Sequence, residues 1–433
     1  VDALCNADRL SFIDSEQAGL IGHMAHPTTL SRWGMEPADL AAYAPERQAR
    51  FALQWLAVDP SIVEQDSAAG NSAAELTERL LRDDAAVDGA ALDAALADLG
   101  ERVLLPVHPW EFAHLRDRQP VSGLLEEGLI VDLGELGSMV TPTTSMGTVY
   151  NGDWPWQLIF GLHAHLADEM RLKPIAELEA AVASARELDA QAAAIGEIAP
   201  RLSLLQDPAY LAVSREGVPV AGLAVQLREN RWPTGSEADV SALQVLVQDH
   251  PFGGASRLAQ IVARLAERSD RPAGDVAREW FARYAEIGML PLLHLGAQLG
   301  LSLETDQQNT LVELEDGWPG RIVMRETHGA SRSAAHGDVA ATGPGIGEGP
   351  FLDNALSIIN ALGIAGHVEE IVLLGDLKAL LVGERESAEG APPLLDRLLD
   401  DPTWPCRANM RTRMHNDVDR YVQIPNPLHG VRD

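Results

Sequence analysis

The feature that most constrains this chain is a change of hydrophobic period near residue 100. Before it, "PERQARFALQWLAV" (45–58) and "AAELTERLLRDDAAVDGAALDAALADLG" (73–100) carry apolar residues three and four apart, the spacing of helices with one buried face. The second segment ends at Gly100, a helix-stop signal. After it, from "RVLLPVHPW" onward, apolar residues gather into short runs broken by Gly and Pro, which read as strands. The clearest are "GLIVDL", "WQLIFGLHAHL", "AYLAVSREGVPVAGLAVQL" and "TLVELEDGWPGRIVMRE". Helical spacing returns in "IAELEAAVASARELDAQAAAI" and "DVAREWFARYAEIGMLPLLHLGAQLG", and the chain beyond the Gly-rich loop "HGDVAATGPGIGEGP" reads as helical. Three regions follow: 1–100 helical, 101–270 sheet-containing, and 271–433 mostly helical with a strand pair near 303–326. No internal repeat is present. The loop's G-x-G-x-G lacks the enclosing strand-then-helix unit of a dinucleotide fingerprint and reads as a plain loop.

Composition narrows the function classes. The 433 residues suffice for two or three domains with ample core. No uninterrupted apolar run reaches the roughly 18 residues of a membrane helix, and the start shows no signal-peptide pattern. The first residue is Val rather than Met, so the natural N-terminus is expected upstream. A net charge of −31 argues against nucleic acid and against anionic membranes, both of which select basic surfaces. A small anionic substrate stays open, because a pocket can gather a few arginines. Cys5 and Cys406 stand far apart, so a disulfide framework is not expected and a reducing cytoplasm is the default. Only Lys173 and Lys378 are lysines, so chemistry that needs a lysine has two candidates.

Four segments carry residues suited to chemistry. In "GHMAHPTTLSRWGM", His23 and His26, with Ser31 and Arg32 downstream, can converge on a carboxylate. In "PVHPWEF", His108 sits between prolines at what reads as the start of a strand. In "TPTTSMGTVY", Ser145 and Thr148 can donate to phosphate oxygens, as can the backbone of a small-residue loop. In "GLSLETDQQNTLVELEDGWPGRIVMRETHGASR", Glu304, Asp306, Gln308 and Asn309 sit at a helix-to-strand junction, and a second strand delivers Arg325 and Glu326. If the junction is extended, alternation puts Glu304, Asp306 and Gln308 on one face. Hard oxygen ligands there suit Mg²⁺. Each segment also has a plain reading, as a cap, a polar turn or a solvated hairpin.

Taken in order, these segments resemble one family, the NRPS-independent siderophore synthetases of the aerobactin-synthetase (IucA/IucC) type. That family carries G-H-x-x-H-P-x-x-K-x-R-x-G, H-P-W-Q, S-T-S-M-R-T and E-x-H-x-Q-N segments, the last followed by a strand ending in Arg-Asp. The counterparts here are "GHMAHPTTLSRWG", "HPWE", "TTSMGT", "ETDQQN" and "MRE". "LKALLVGER" and "WPCRANMRTRMHNDVDRYVQIPNPL" resemble its closing helices. Part of the family's helical N-terminal region has no counterpart. The resemblance implies an α+β fold, a cradle of helical thumb, fingers with an antiparallel sheet, and mostly helical palm. It implies ATP- and Mg²⁺-dependent activation of a small-molecule carboxylate as an acyl-adenylate, then attack by an amine or hydroxyl, in a homodimer. Ser145, Thr148, Gln308 and Asn309 would then hold the nucleotide, Glu304 and Glu326 the metal, and His23, His26, Arg32, His108, Arg171 and Arg325 the substrate.

The departures from the pattern all fall on charge. The phosphate-loop arginine is Gly147, the first motif's lysine is Leu30, and the histidine of E-x-H-x-Q-N is Asp306. The family's next strand carries a lysine, then Thr-Ser-x-x-Arg. Aligned without a gap, these fall on Ile159, Ala167 and Arg171; shifted by two, they fall on Gln157, His165 and Glu169. Neither register supplies the lysine, and Lys173 lies beyond both. Charge-assisted hydrogen bonds contribute about 1.5–3 kcal/mol each, so losing two weakens MgATP binding by orders of magnitude. His163 and His165 share a face if their segment is a strand. With Asp168, Glu169 or Asp306 they supply general acid–base groups. Three readings follow: a divergent enzyme with weakened or lost ATP use and His/carboxylate catalysis by His163, His165 and Asp306; an ATP-dependent synthetase whose cradle is rebuilt from Arg171, Arg325 and Arg332; or a non-catalytic member that binds a metabolite or partner enzyme.

Overall fold

The computed structural model describes residues 7–22, 31–166, 169–303, 306–326, 331–332, 348–387, 393–407 and 421–431. The chain divides into two compact units, Leu30–Asp189 with Leu205–Ser236, and Val1–Thr29 with Ala190–Leu204 and Glu237–Asp433. The fold class is α+β, as expected.

The Leu30 unit is built on an eight-stranded sheet in the order Val63–Ser67, Ala209–Arg215, Val218–Glu229, Trp156–Phe160, Thr148–Tyr150, Ile130–Pro142, Phe51–Val58, Val103–Val107. Every neighbouring pair is antiparallel. The hairpin between Arg215 and Val218 turns on Glu216 and Gly217, both at positive φ (54° and 77°), the two-residue turn whose twist matches its strands. One face of the sheet carries Val149, Leu158, Phe160, Leu211, Val213, Val225 and Leu227 into a large apolar core. Helices Ala73–Arg82, Pro109–Leu115 and Val121–Glu126 close that core with Leu76, Leu80, Phe112, Leu115 and Leu124. Side chains alternate along a strand, so the residues between these point the other way. There Gln157 lies opposite Arg228, and Gln226 opposite Ile159. Asp207 holds Arg228 through two hydrogen bonds of 2.6 and 2.7 Å and accepts a third from Gln226 at 3.0 Å, all buried.

Two sequence expectations change here. Residues 45–58 do not form a helix: after a single turn at Pro45–Arg47, Phe51–Val58 is a strand between Ile130–Pro142 and Val103–Val107. Buried on both faces, it is apolar at every position but Gln54 and shows no alternation, so periodicity cannot separate it from a buried helix. The run "WQLIFGLHAHL" is not one strand either. Trp156–Phe160 belongs to the large sheet, whereas His165–Leu166 pairs with Arg32–Trp33 and Glu169–Met170 in a separate three-stranded sheet. His163 lies in a bend between the two strands. The boundary expected near residue 100 falls inside this unit.

The Val1 unit holds a four-stranded sheet in the order Leu202–Leu204, Trp318–Met324, Thr310–Glu315, Asp239–Ala242. Its first pair is parallel and the others are antiparallel. The expected strand pair turns on Asp316-Gly317, both at positive φ (53° and 93°). Helices Arg257–Ser269, Ala273–Tyr284, Leu290–Leu299, Glu348–Ile364, Glu370–Ser387 and Pro393–Asp400 belong to the same unit. A π turn at Ala285–Met289 joins the second and third, and the third ends at Gly300 in the left-handed region (φ 68°).

The Asp207–Arg228 pair sets the first prediction. Asp207→Ala leaves a buried guanidinium without its carboxylate, which costs about 3–5 kcal/mol. Urea denaturation followed by tryptophan fluorescence is expected to show that loss, and Arg228→Met with Asp207→Leu to recover most of it.

Candidate functional site

Three of the four chemistry-bearing segments meet in the Leu30 unit. Met35, Trp110, Met146, Leu162 and Ala164 pack into one buried cluster, tying the first motif, "HPWE", "TTSMGT" and the histidine run together. Burial of these side chains fixes the loops that carry the polar groups.

The loop Thr143–Thr148 closes on itself. Thr148 N–H donates to the Ser145 carbonyl at 3.0 Å, and Thr143 N–H donates to the Thr148 carbonyl at 2.8 Å. Thr148 is buried and Ser145 half-buried. Phe160 N–H donates to the Gly147 carbonyl at 2.7 Å. A Cβ on Gly147 would stand 2.7 Å from the Phe160 carbonyl oxygen, closer than real Cβ contacts come. The loop is thus seated against the next strand, and a side chain at the position of the family's arginine would require that backbone to shift.

His108 does not start a strand. It caps helix Pro109–Leu115, its Nδ1 accepting from Trp110 N–H at 3.2 Å. Tyr43 and Phe51 pack on its ring at 5.0 and 4.9 Å between centroids. The side chain is fully buried, and its Nε2 has no hydrogen-bond partner among the described residues. Burial pushes its pKa down to about 3. His108 is therefore a neutral donor sealed among aromatic rings rather than a cation for a carboxylate.

The same helix carries further polar residues that the motif comparison does not single out. Glu111 is fully buried and clamps His163 at two points. One carboxylate oxygen accepts His163 N–H at 2.8 Å and the other meets His163 Nδ1. Burial pushes the Glu111 carboxyl up, opposed by its hydrogen bonds with His163 and the nearby charge of Arg118. His114 stacks on His163 at 5.2 Å and on Trp110 at 5.5 Å, and Arg118 contacts its Nε2. The spacing of Trp110, Glu111 and His114 on one helical turn is the signal the sequence offers for them. His163 and His165 do not share a face, because the strand ends at Phe160; His165 lies exposed opposite Trp33.

Two cations of this unit, Arg32 and Lys173, are matched by carboxylates. Arg32 makes a two-pronged pair with Glu46 at 2.5 and 2.9 Å, and Lys173 pairs with Glu177 at 2.5 Å. Arg171 is exposed, and its backbone holds Leu162 and Ala164. At the lysine position of the shifted register, Gln157 is fully buried, and neither of its amide atoms has a hydrogen-bond partner among the described residues.

The fourth segment lies in the Val1 unit and is a turn, not an extended run. Asp306 accepts Asn309 N–H at 2.7 Å and the Asn309 amide at 3.1 Å, which bends residues 307–309 and ends the expected alternation with Gln308. Arg325 is buried; it pairs with Glu16 at 3.1 Å and donates to the Gln308 carbonyl at 2.8 Å. Glu326 follows at φ 61°. The buried Gln307, which no motif marks, reaches Ser357. His23, His26, Glu304 and Asp168 lie outside the described residues, as does the Glu169 side chain. Among the described residues, no cluster of three or more His, Cys, Asp or Glu is arranged to hold a metal ion.

His108 makes stability depend on pH with a definite sign. The unfolded imidazole binds its proton below 6.5 and the folded one only near 3, so the stability tied to neutral His108 is complete above 6.5 and falls as pH drops toward 3. From pH 6.5 to 5 the loss is about 2 kcal/mol, at about 1.4 kcal/mol per unit. Urea midpoints measured across that range are expected to fall less steeply for His108→Asn, which keeps a capping side chain but does not titrate.

Comparison with known proteins agrees with this architecture. A model of the IucA / IucC family matches residues 11–248, and one described as ferric iron reductase FhuF-like transporter matches residues 278–422. The chain is 32% identical to the rhizobactin siderophore biosynthesis protein RhbC of Rhizobium meliloti, over 97% of this chain and 76% of that one. It is 30% identical to the spermidine-citrate ligase of Bacillus anthracis, over 96% and 73%. ATP-bound aerobactin synthetase IucA from Klebsiella pneumoniae superposes with a TM-score of 0.87 at 26% identity, covering 98% of this chain and 78% of that one. With its helices and curled antiparallel sheet arranged as in that synthetase, and its sequence matched along nearly its whole length, this chain belongs to the IucA/IucC family of siderophore synthetases.

Proposed function

We propose that this chain is an enzyme of siderophore-type biosynthesis that acts on a polar carboxylate or acyl substrate, passing the acyl group of an oxygen ester to an amine or hydroxyl, with a weakened or lost grip on nucleotide. The relatives support the substrate class: the Bacillus protein is named for spermidine and citrate, two polyfunctional partners of this kind. A cytoplasmic location and a homodimer belong to the same proposal. Among the described residues, no helix is long and apolar enough to cross a membrane.

One observation carries the nucleotide part: the seat of Gly147 against Phe160. A triphosphate needs cations at the loop that receives it, because the charge is otherwise left to water. This loop has none, and its backbone has closed over the position where one would stand. Gln157 or Ile159, according to the register, stands where the family has a lysine, and Arg32 and Lys173 already hold carboxylates. These residues do not fit a MgATP cradle, so no step is routed through ATP here. Catalysis then falls to the neutral and anionic groups of the unit, among them the partly exposed His163.

A second reading, ATP-dependent ligation through an acyl-adenylate, is favoured by the ATP-bound relative of the same fold. Calorimetric titration with MgATP, paired with a pyrophosphate-release assay over citrate and polyamines, separates the two. The proposal expects no binding at micromolar MgATP and no substrate-dependent pyrophosphate. It also expects Gly147→Arg to lower stability without restoring binding, because the added Cβ meets backbone. Micromolar binding with substrate-dependent pyrophosphate release would replace the proposal by the second reading.

A further inference from the structure

Glu111 is a carboxylate with no solvent exposure, and both of its oxygens are turned to one residue. Its place depends on Gly222, where φ is +85° and any Cβ would collide with the Glu111 Oε1. Of the two oxygens, one accepts the His163 backbone N–H and the other faces His163 Nδ1. When ionised, this carboxylate only accepts hydrogen bonds, and Nδ1 then carries the proton. A neutral imidazole protonated at Nδ1 has its lone pair on Nε2. The His163 side chain is 22% exposed, and its Nε2 makes no hydrogen bond to a described residue. His114 covers one face of the ring, with Arg118 on its far nitrogen; among the described residues, these and Glu111 are the charged and titratable groups packed against His163. The arrangement is a buried carboxylate, an oriented imidazole and an open nitrogen, the order of parts by which a base is held for a nucleophile.

We propose that Glu111 is a positioning residue that fixes His163 with its proton on Nδ1, and that His163 Nε2 takes the proton of the incoming amine or hydroxyl. This rests on the acyl-transfer reading given above. The nucleophile's lone pair adds to the carbonyl carbon of an activated acyl donor, and its proton passes to Nε2. The bond from that carbon to the oxygen leaving group then breaks, the electron pair departing with the leaving group. The resulting imidazolium is paired with Glu111 at the moment its charge appears.

The decisive variant is Glu111→Gln, which keeps the shape and matches the glutamine of the H-P-W-Q motif. Gln has one acceptor oxygen. With that oxygen on the His163 backbone N–H, the amide NH₂ faces Nδ1 and donates to it, which moves the ring proton to Nε2 and removes the open lone pair. The full-length chain labelled with ¹⁵N-histidine reports this directly from imidazole nitrogen shifts, the His163 signals being assigned with His163→Gln. The wild type is expected as the Nδ1–H tautomer and Glu111→Gln as Nε2–H. Acyl transfer to an amine is expected to fall by about 10²–10⁴-fold in both variants, the usual share of a positioned base. A wild type in the Nε2–H tautomer, or a Glu111→Gln variant that keeps the wild-type tautomer, would overturn the positioning role. A variant with the flipped tautomer and undiminished transfer would overturn the role of Nε2 as base. A wild type that transfers no acyl group to any amine or hydroxyl would instead remove the functional reading, while the tautomer result still decides what Glu111 does.

Discussion

The two-sidedness of the eight-stranded sheet is the constraint on which the Leu30 unit depends. Along Trp156–Phe160 the side chains alternate: Leu158 and Phe160 enter the apolar core, while Gln157 turns to the face that holds Arg228 and Gln226. A slip of one residue would bury the amide among Val149, Leu211 and Val225 and turn the aliphatic groups to the polar side. The register that buries the core therefore also fixes the buried Asp207–Arg228 pair and the strand edge against which Gly147 rests. Packing and polar placement are one decision here, made by the period of the strand.

Charge in this chain is arranged to be satisfied internally. Arg32 with Glu46, Arg228 with Asp207, Lys173 with Glu177 and Arg325 with Glu16 are each held by a carboxylate of the same compact unit. A cation already paired in low dielectric gains less from a new anion than an open one, since the first partner must be displaced. That is the physical content of the proposed change in nucleotide use: charge has been lost from the loop, and Arg32 and Lys173 already hold carboxylates. The buried groups that remain, neutral His108 and the Glu111–His163 pair, suit proton transfer better than the binding of a polyanion.

Much of the fold is legible in residue identity and spacing. Asp316-Gly317 and Glu216-Gly217 mark two-residue hairpins by their chemistry, and the helices 73–82 and 273–284 announce themselves by period. The IucA/IucC kinship is carried by "HPWE", "TTSMGT" and "ETDQQN" in order. What is not legible has specific causes. Phe51–Val58 reads as helix because a strand buried on both faces loses its alternation. His163 and His165 read as one face because nothing in "GLHAHL" shows that the strand stops at Phe160. Glu111 is silent because a carboxylate in a helix reads as solvated until a distant glycine, Gly222, proves to face it.

The sequence by itself determined which groups this protein has: the missing arginine at Gly147, the glutamate of "HPWE", the histidines of the following run, and the apolar periods that force a sheet with helices. Those are local facts, written in residue identity and spacing. Only the tertiary structure decided which groups face each other and which are already engaged. It brought Glu111 to His163, sealed His108 among Tyr43 and Phe51, and set Glu16 on Arg325. The reason is range: burial and hydrogen bonding act over a few ångströms in space, and the residues they join here lie from 52 positions apart (Glu111 and His163) to 309 (Glu16 and Arg325) along the chain.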